Sequence, residues 1–328
     1  MIPVTARRTL EEGVFCYLGV RTPDGPHVTP VVYALDGSRL WVTTARTSVK
    51  ARAVRAGSEV AGLVRSGDVV VCFRGRAKLY DVLDPFTWPS ITFSAPRLMR
   101  AATRFSLKNA RFFAGYAVDA PRVPLAWSPP GRVFVGIEPK AGAVLREDGS
   151  TAPSWWDDWT SPPPRYRSSY TPARATRAID LRVPQAVRAA IGSSGRAAVG
   201  FDSARIGLSI LPAAWVRMAR EGAYVALVPV ALLERAAPAP GSPIALIVDR
   251  ASAWRAADMA GMLLQGPADL FAPRATNRGK RELSGLIERT LEMLGRDPRR
   301  VQEFALLRLR PSRVVWWQGW TSGTVAAR

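Results

Sequence analysis

Hydrophobic and polar positions alternate with period two along most of this chain, and a helical period replaces that alternation in only a few places. Val28, Pro30, Val32 and Ala34 alternate with His27, Thr29, Val31, Tyr33 and Leu35, which predicts a strand with two different faces. Asp36-Gly37 supplies a two-residue hairpin turn, where both central positions need positive φ. Residues 39–44 then return as the partner strand. After Thr44 the period lengthens: Ser48 is placed to cap a short helix over 49–56, and Gly57 stops it. Further strands are predicted over 13–21, 59–65, 69–80 and 131–139. Before the last of these, Arg97, Arg100, Arg104, Lys108 and Arg111 recur at helical steps, with Leu98, Ala101, Phe105, Phe112 and Tyr116 on other faces. That pattern predicts a basic amphipathic helix over 96–117.

The second half repeats this order. Ala197 to Phe201 answers Cys16 to Val20, Pro212 answers Pro30, and the stretch from Ser242 answers that from Ser58. Gln265-Gly266 answers Arg74-Gly75, a helix over 282–294 stands where the first copy has its basic helix, and Leu307 onward answers Val135 onward. A repeat of this length predicts two copies of one folding unit. The division expected is a first domain over 1–150, a linker rich in Trp and Pro over 151–175, and a second domain over 176–328.

With 328 residues, 48% hydrophobic content and mean hydropathy near zero, the chain can bury two cores. No leader pattern opens it and its longest apolar run is too short to span a bilayer, so the cytoplasm is the expected location, with peripheral membrane attachment as a variant. Cys16 and Cys72 fall inside predicted strands and read as buried free thiols. A single histidine, His27, argues against a His-based triad or a metal site. The formal net charge of +20 draws anions toward the protein. A phosphorylated cofactor and an anionic membrane surface are the candidate partners, with no specific nucleic acid expected.

The candidate chemistry sits where the second strand pair meets its helix. Thr44, Arg46, Thr47, Ser48 and Lys50 bring hydroxyls, backbone N–H groups and two cations to one strand end and helix start. Such a combination suits a phosphate. No glycine-rich dinucleotide fingerprint follows a predicted strand and no P-loop sequence is present.

The order strand, Asp-Gly turn, strand ending in Thr, Ser-x-Lys helix, strand, and a hairpin ending in Gly75-Arg76-Ala77 resembles the FMN-binding split barrel of the pyridoxamine 5'-phosphate oxidase-like superfamily, which includes flavin/deazaflavin oxidoreductases. The resemblance implies a mainly β fold with α insertions, here tandem split β-barrels forming a pseudo-dimer within one chain, able to dimerise further. It implies FMN, or alternatively an 8-hydroxy-5-deazaflavin coenzyme, bound between barrels, with hydride transfer to a small-molecule substrate. By position, Val28, Thr29, Pro30 and Val31 would face the ring with their backbone. Thr43, Thr44, Arg46, Thr47, Ser48, Val49 and Lys50 would surround the phosphate, Val49 standing where the oxidase has an Arg. Trp317 and Trp320 of the C-terminal segment would wall the ring. In the second copy Val228 answers Thr44 and Glu234 answers Lys50, so that copy is expected to have lost its site. The competing expectations are a non-catalytic cofactor- or heme-binding protein, and a basic membrane-associated protein whose barrel site is inactive.

Overall fold

The structure, a computed structural model, describes residues 2–57, 59–119, 121, 131–147, 152–156, 182–203, 206–218, 223–236, 238, 242–250, 255–271 and 280–327. A helix α1 (Val4–Glu12) leads into β1 (Phe15–Thr22), β2 (Gly25–Asp36) and β3 (Arg39–Ala45). Then come α2 (Val49–Arg55), β4 (Glu59–Ser66), β5 (Val69–Tyr80), α3 (Trp88–Lys108), α4 (Ala110–Asp119), β6 (Arg132–Arg146) and β7 (Ser154–Trp156). These strands form a seven-stranded sheet in the order β3-β2-β1-β4-β5-β6-β7, and an added β3–β6 pairing closes six of them into a barrel. Closure removes the free edges an open sheet would present.

Alternation decides what each strand buries. Cys16, Leu18 and Val20 of β1, Val60 and Val64 of β4, and Val71 and Phe73 of β5 fill the barrel interior with Tyr33, Val42 and Val135. Ala61, Leu63, Val70 and Cys72, one step out of phase, belong instead to the core shared with the second half. Both cysteines are buried free thiols, and burial pushes Cys16 up to about 12.

The second half consists of α5 (Gln185–Ile191), β8 (Ser194–Ser203), β9 (Gly207–Met218), β10 (Ala223–Pro229), α6 (Val230–Ala236), β11 (Ile244–Arg250), β12 (Ala260–Gly266), β13 (Ala268–Phe271), α7 (Lys280–Met293), β14 (Phe304–Leu309), β15 (Arg313–Gln318) and β16 (Thr321–Ala326). Its nine strands run β13-β14-β10-β9-β8-β11-β12-β15-β16. This is the path of the first sheet with two strands broken: β12 and β13 together trace β5, and β14 and β15 together trace β6. In the first copy the same place is a register shift between Arg74 and Gly75 in one long strand. Pro267, which lacks the N–H a ladder needs, follows Gly266 where Arg76 follows Gly75, and there the strand breaks.

The sheets pack with approximate two-fold symmetry. Gly19 pairs with Val28 in one barrel as Gly200 pairs with Ile210 in the other. A Cβ on Gly19 would meet Ile210 at 2.7 Å, and one on Gly200 would meet Val28 at 2.7 Å. Each barrel thus lodges an aliphatic side chain over its partner's glycine, the reciprocity of an isologous interface. Arg21 and Asp202, at equivalent positions just beyond Val20 and Phe201, bond to each other at 2.6 Å. Residues that would be identical in a homodimer have here become a complementary pair.

Three elements depart from the sequence reading. The basic helix begins at Trp88, not at residue 96, and carries Pro96 inside; Pro89 suits its first turn, and Asn109 separates it from α4. Ser154–Trp156, placed in the linker by composition, pairs with β6, where Trp156 covers the surface above Gly142. The rest of the expected linker, 157–175, lies outside the described residues. Finally, α6 follows β10 directly, without a loop like Arg46-Thr47-Ser48. Glu234 therefore falls on the fifth residue of its helix, exposed, whereas Lys50 is the second residue of α2.

Candidate functional site

The site grows from the place where β2 and β3 splay apart. Their ladder runs only from Tyr33↔Val42 to Asp36↔Arg39, while β2 pairs with β1 from Gly25 to Val32. The outer backbone edge of residues 25–32 is left without a strand partner among the described residues. β3 turns instead to β6, pairing Thr44 with Val133 and Ala45 with Arg132. The loop that follows is tied down by its own backbone: Arg46 N–H donates to the Gly131 carbonyl at 2.9 Å, and Ser48 N–H to that of Ala45 at 3.0 Å.

Four hydroxyls and two cations lie at this end of the barrel in three hydrogen-bonded pairs. Ser48 caps α2 by accepting from the Ala51 N–H at 3.1 Å, and its Oγ lies 2.9 Å from Thr44 Oγ1. Lys50 Nζ donates to Thr29 Oγ1 at 2.6 Å. Arg132 donates to the hydroxyl and the carbonyl of Thr43, at 2.9 Å each from Nη2. Lys50 is half-buried, and no carboxylate among the described residues pairs with it. Burial first, and the nearby charge of Arg132 second, lower its pKa to about 8. His27, buried beside it, is lowered to about 3 by burial, then by Lys50 and by Arg313. It is neutral at every physiological pH.

The second barrel closes one side. Gln265 Nε2 donates to the Pro26 carbonyl at 2.7 Å, and Arg313 donates to Gln265 Oε1 at 2.8 Å. On another side Trp320 meets Tyr116 of α4 edge-on, ring centroids 4.8 Å apart, within a cluster that includes Val32, Ala34, Phe105 and Phe112. Tyr116 interacts in turn with Arg132.

Of the residues expected from sequence, Lys50 binds Thr29 and Ser48 lies beside Thr44, while Thr43, next to Thr44 on β3, points to the opposite face and binds Arg132. Val28 does not join them; it faces the other barrel against Gly200. Pro30 is half-buried and Val31 packs on the first barrel's core, as does Val49. Thr47 is exposed at the loop tip. Arg46, expected to neutralise phosphate, is held at 2.9 Å by the buried Asp81, which also binds Arg55 at 2.7 Å. Trp317 covers Gly261 of its own sheet, while Trp320 reaches the first barrel. Arg132, Tyr116 and Gln265 were not singled out in advance. Only the β3–β6 closure places Arg132 beside Thr43, and nothing local distinguishes it from the chain's many other arginines.

Two cavities of about 260 and 270 Å³ lie elsewhere, one beside Glu147, Arg196 and Phe304, the other beside Tyr17 and Arg65. Their charges are closed on one another, as in Arg65–Glu147 at 3.0 Å and Arg196–Glu147 at 3.1 Å.

Residues 4–81, which include β2, β3 and α2, match the family model described as pyridoxamine 5'-phosphate oxidase. Over this segment, about a quarter of the chain, the first barrel resembles the pyridoxamine 5'-phosphate oxidase-like split barrel. A comparison with curated proteins finds no match. Among solved structures, the chain is similar to an F420 reductase at 22% identity, covering 43% of this chain and 98% of that one, with a TM-score of 0.29. It is also similar to a pyridoxamine 5'-phosphate oxidase-related, FMN binding protein from Nostoc punctiforme PCC 73102, at 17% identity over 45% and 82% of the two chains, with a TM-score of 0.33. A FAD-binding protein from Mesorhizobium loti matches at 18% identity over 44% and 94%, with a TM-score of 0.33. Scores at this level carry no argument; the resemblance rests on the matched segment and on the path of the strands.

Proposed function

We propose that this chain is a flavin- or deazaflavin-dependent oxidoreductase that holds one cofactor against its first barrel and acts on a small molecule. The observation that carries the reading is Lys50: a half-buried ammonium whose hydrogen-bond partner is a neutral hydroxyl, with Arg132 as a second cation nearby. Such a cluster favours an anion, because a partly desolvated cation gains most from a charged acceptor. The phosphate of FMN, or of a deazaflavin coenzyme, has the right charge. Lys50 and Arg132 would neutralise it, and Thr44 and Ser48 would donate hydroxyl hydrogens. The unpaired edge of residues 25–32 offers backbone donors and acceptors to a planar ring, with Gln265 and Arg313 of the second barrel alongside. Arg46 shapes the loop through Asp81 instead of binding phosphate. The cofactor itself supplies the hydride chemistry when bound; the chain supplies binding, orientation and charge.

The test is thermal melting with FMN and with the deazaflavin coenzyme in parallel. Binding at a hundred times the Kd stabilises by about 2.7 kcal/mol, and the cofactor that raises the melting temperature is the one used. No rise with either would overturn the proposal.

A further inference from the structure

We infer that the outward face of the kinked α3–α4 segment docks this protein onto an anionic lipid surface, whichever cofactor the barrel binds. Most of the exposed large apolar side chains among the described residues fall within 82–118. Phe86 is 95% exposed, Phe93 90%, Leu107 72%, Met99 70% and Trp88 54%. An apolar patch of this kind marks an interaction surface. The opposite side of α3 is well anchored: Ala101 and Phe105 are buried, and Asn109 donates to the Tyr33 carbonyl at 3.3 Å. The helix is thus packed where it meets the barrel and apolar where it does not.

Two further features select a bilayer as the occupant. The first is charge. No carboxylate occurs between Asp84 and Asp119, while Arg97, Arg100, Arg104, Lys108 and Arg111 do. Arg100 and Arg104 share the single buried Asp36 and remain 61% and 57% exposed in their side chains, so the segment keeps an excess of positive charge. An interfacial helix pairs a basic flank with Trp, Phe and Leu in the same way. The second is that three polar groups of this face are already satisfied within the segment. Trp88 Nε1 donates to the Val82 carbonyl at 3.0 Å, and the Thr92 and Thr103 hydroxyls donate to the Trp88 and Met99 carbonyls, both at 3.0 Å. Entry into hydrocarbon would strand none of these three donors. No helix among the described residues is long and apolar enough to cross a membrane, so this one would lie in the interface plane. Because α4 also carries Tyr116, docking would bring the lipid surface close to the flank of the cofactor cradle.

The experiment is flotation of the full chain with phosphatidylcholine vesicles and with phosphatidylcholine vesicles containing phosphatidylglycerol. Binding is expected to the anionic vesicles, to be weakened by salt, and to fall about a hundredfold in Phe86→Ser/Phe93→Ser, whose buried core is untouched. Arg97→Glu should lower it about tenfold. Circular dichroism and melting of each variant establish that the fold is intact. The inference is overturned if the wild type does not float with anionic vesicles at low salt, or if flotation persists in the folded double variant. It is also overturned if the two phenylalanines prove to drive self-association of the chain without vesicle binding.

Discussion

The closed first barrel and the curled second sheet follow the same strand path and carry opposite chemistry at equivalent places. The strand pairings align Thr29 with Leu211, Thr43 with Leu227, Thr44 with Val228 and Arg132 with Phe304. These four polar positions are thus aliphatic or aromatic in the second copy, and Leu211, Leu227, Val228 and Phe304 are all buried. Glu234, aligned with Lys50 by sequence, is exposed and out of register, and the positions equivalent to the proposed cradle are core. The interface shows the same divergence in another form. At equivalent positions Arg65 reaches the Ala197 carbonyl across the interface, and Asp249 accepts from Tyr17 across it at 2.9 Å. A homodimer must place like charges on its two-fold axis; a fused chain can place Arg21 against Asp202.

The largest effect should come from breaking that axial pair. Asp202→Ala leaves an Arg21 side chain that is 7% exposed without this partner, and chemical denaturation should show a loss of about 3–5 kcal/mol. Next is the cradle. Lys50→Met should weaken FMN or deazaflavin binding about a hundredfold by calorimetry, the scale of a charge-assisted bond in a partly desolvated site. The pH dependence of that binding sharpens the point. Lys50 titrates near 8 in the cofactor-free protein, below its ordinary 10.5, and phosphate needs its charged form. Affinity should therefore hold below pH 8 and fall by up to about tenfold per pH unit above it. The stability of the free protein moves the opposite way: the unfolded chain holds more protons between 8 and 10.5, so folding strengthens there as pH rises. Lys108, lowered to about 8 by burial, adds to the stability trend but not to the affinity trend, so Lys50→Met should abolish only the latter slope. The smallest effect is expected at Glu234→Gln, under about 0.5 kcal/mol in stability with no change in cofactor binding.

The order of strands and turns was legible because period-two alternation and turn residues are local signals. That Thr44, Ser48 and Lys50 share one strand end and helix start was legible for the same reason, since they lie within a few residues of one another. Arg132 was not, because its place depends on a barrel closing between residues far apart in sequence. Arg46 misled for the complementary reason: its neighbours in sequence are the cradle, yet its charge is claimed by Asp81 from the end of β5. Trp317 and Trp320 read alike in sequence, and only the pairing of β15 with Gly261 separates the one that packs at home from the one that crosses over.

The central claim is that one barrel of two keeps an anion cradle. Calorimetric titration of the purified chain with its cofactor measures this directly through stoichiometry. One site per chain, lost in Lys50→Met, is the predicted result; two sites per chain, or one that survives that substitution unchanged, would contradict it.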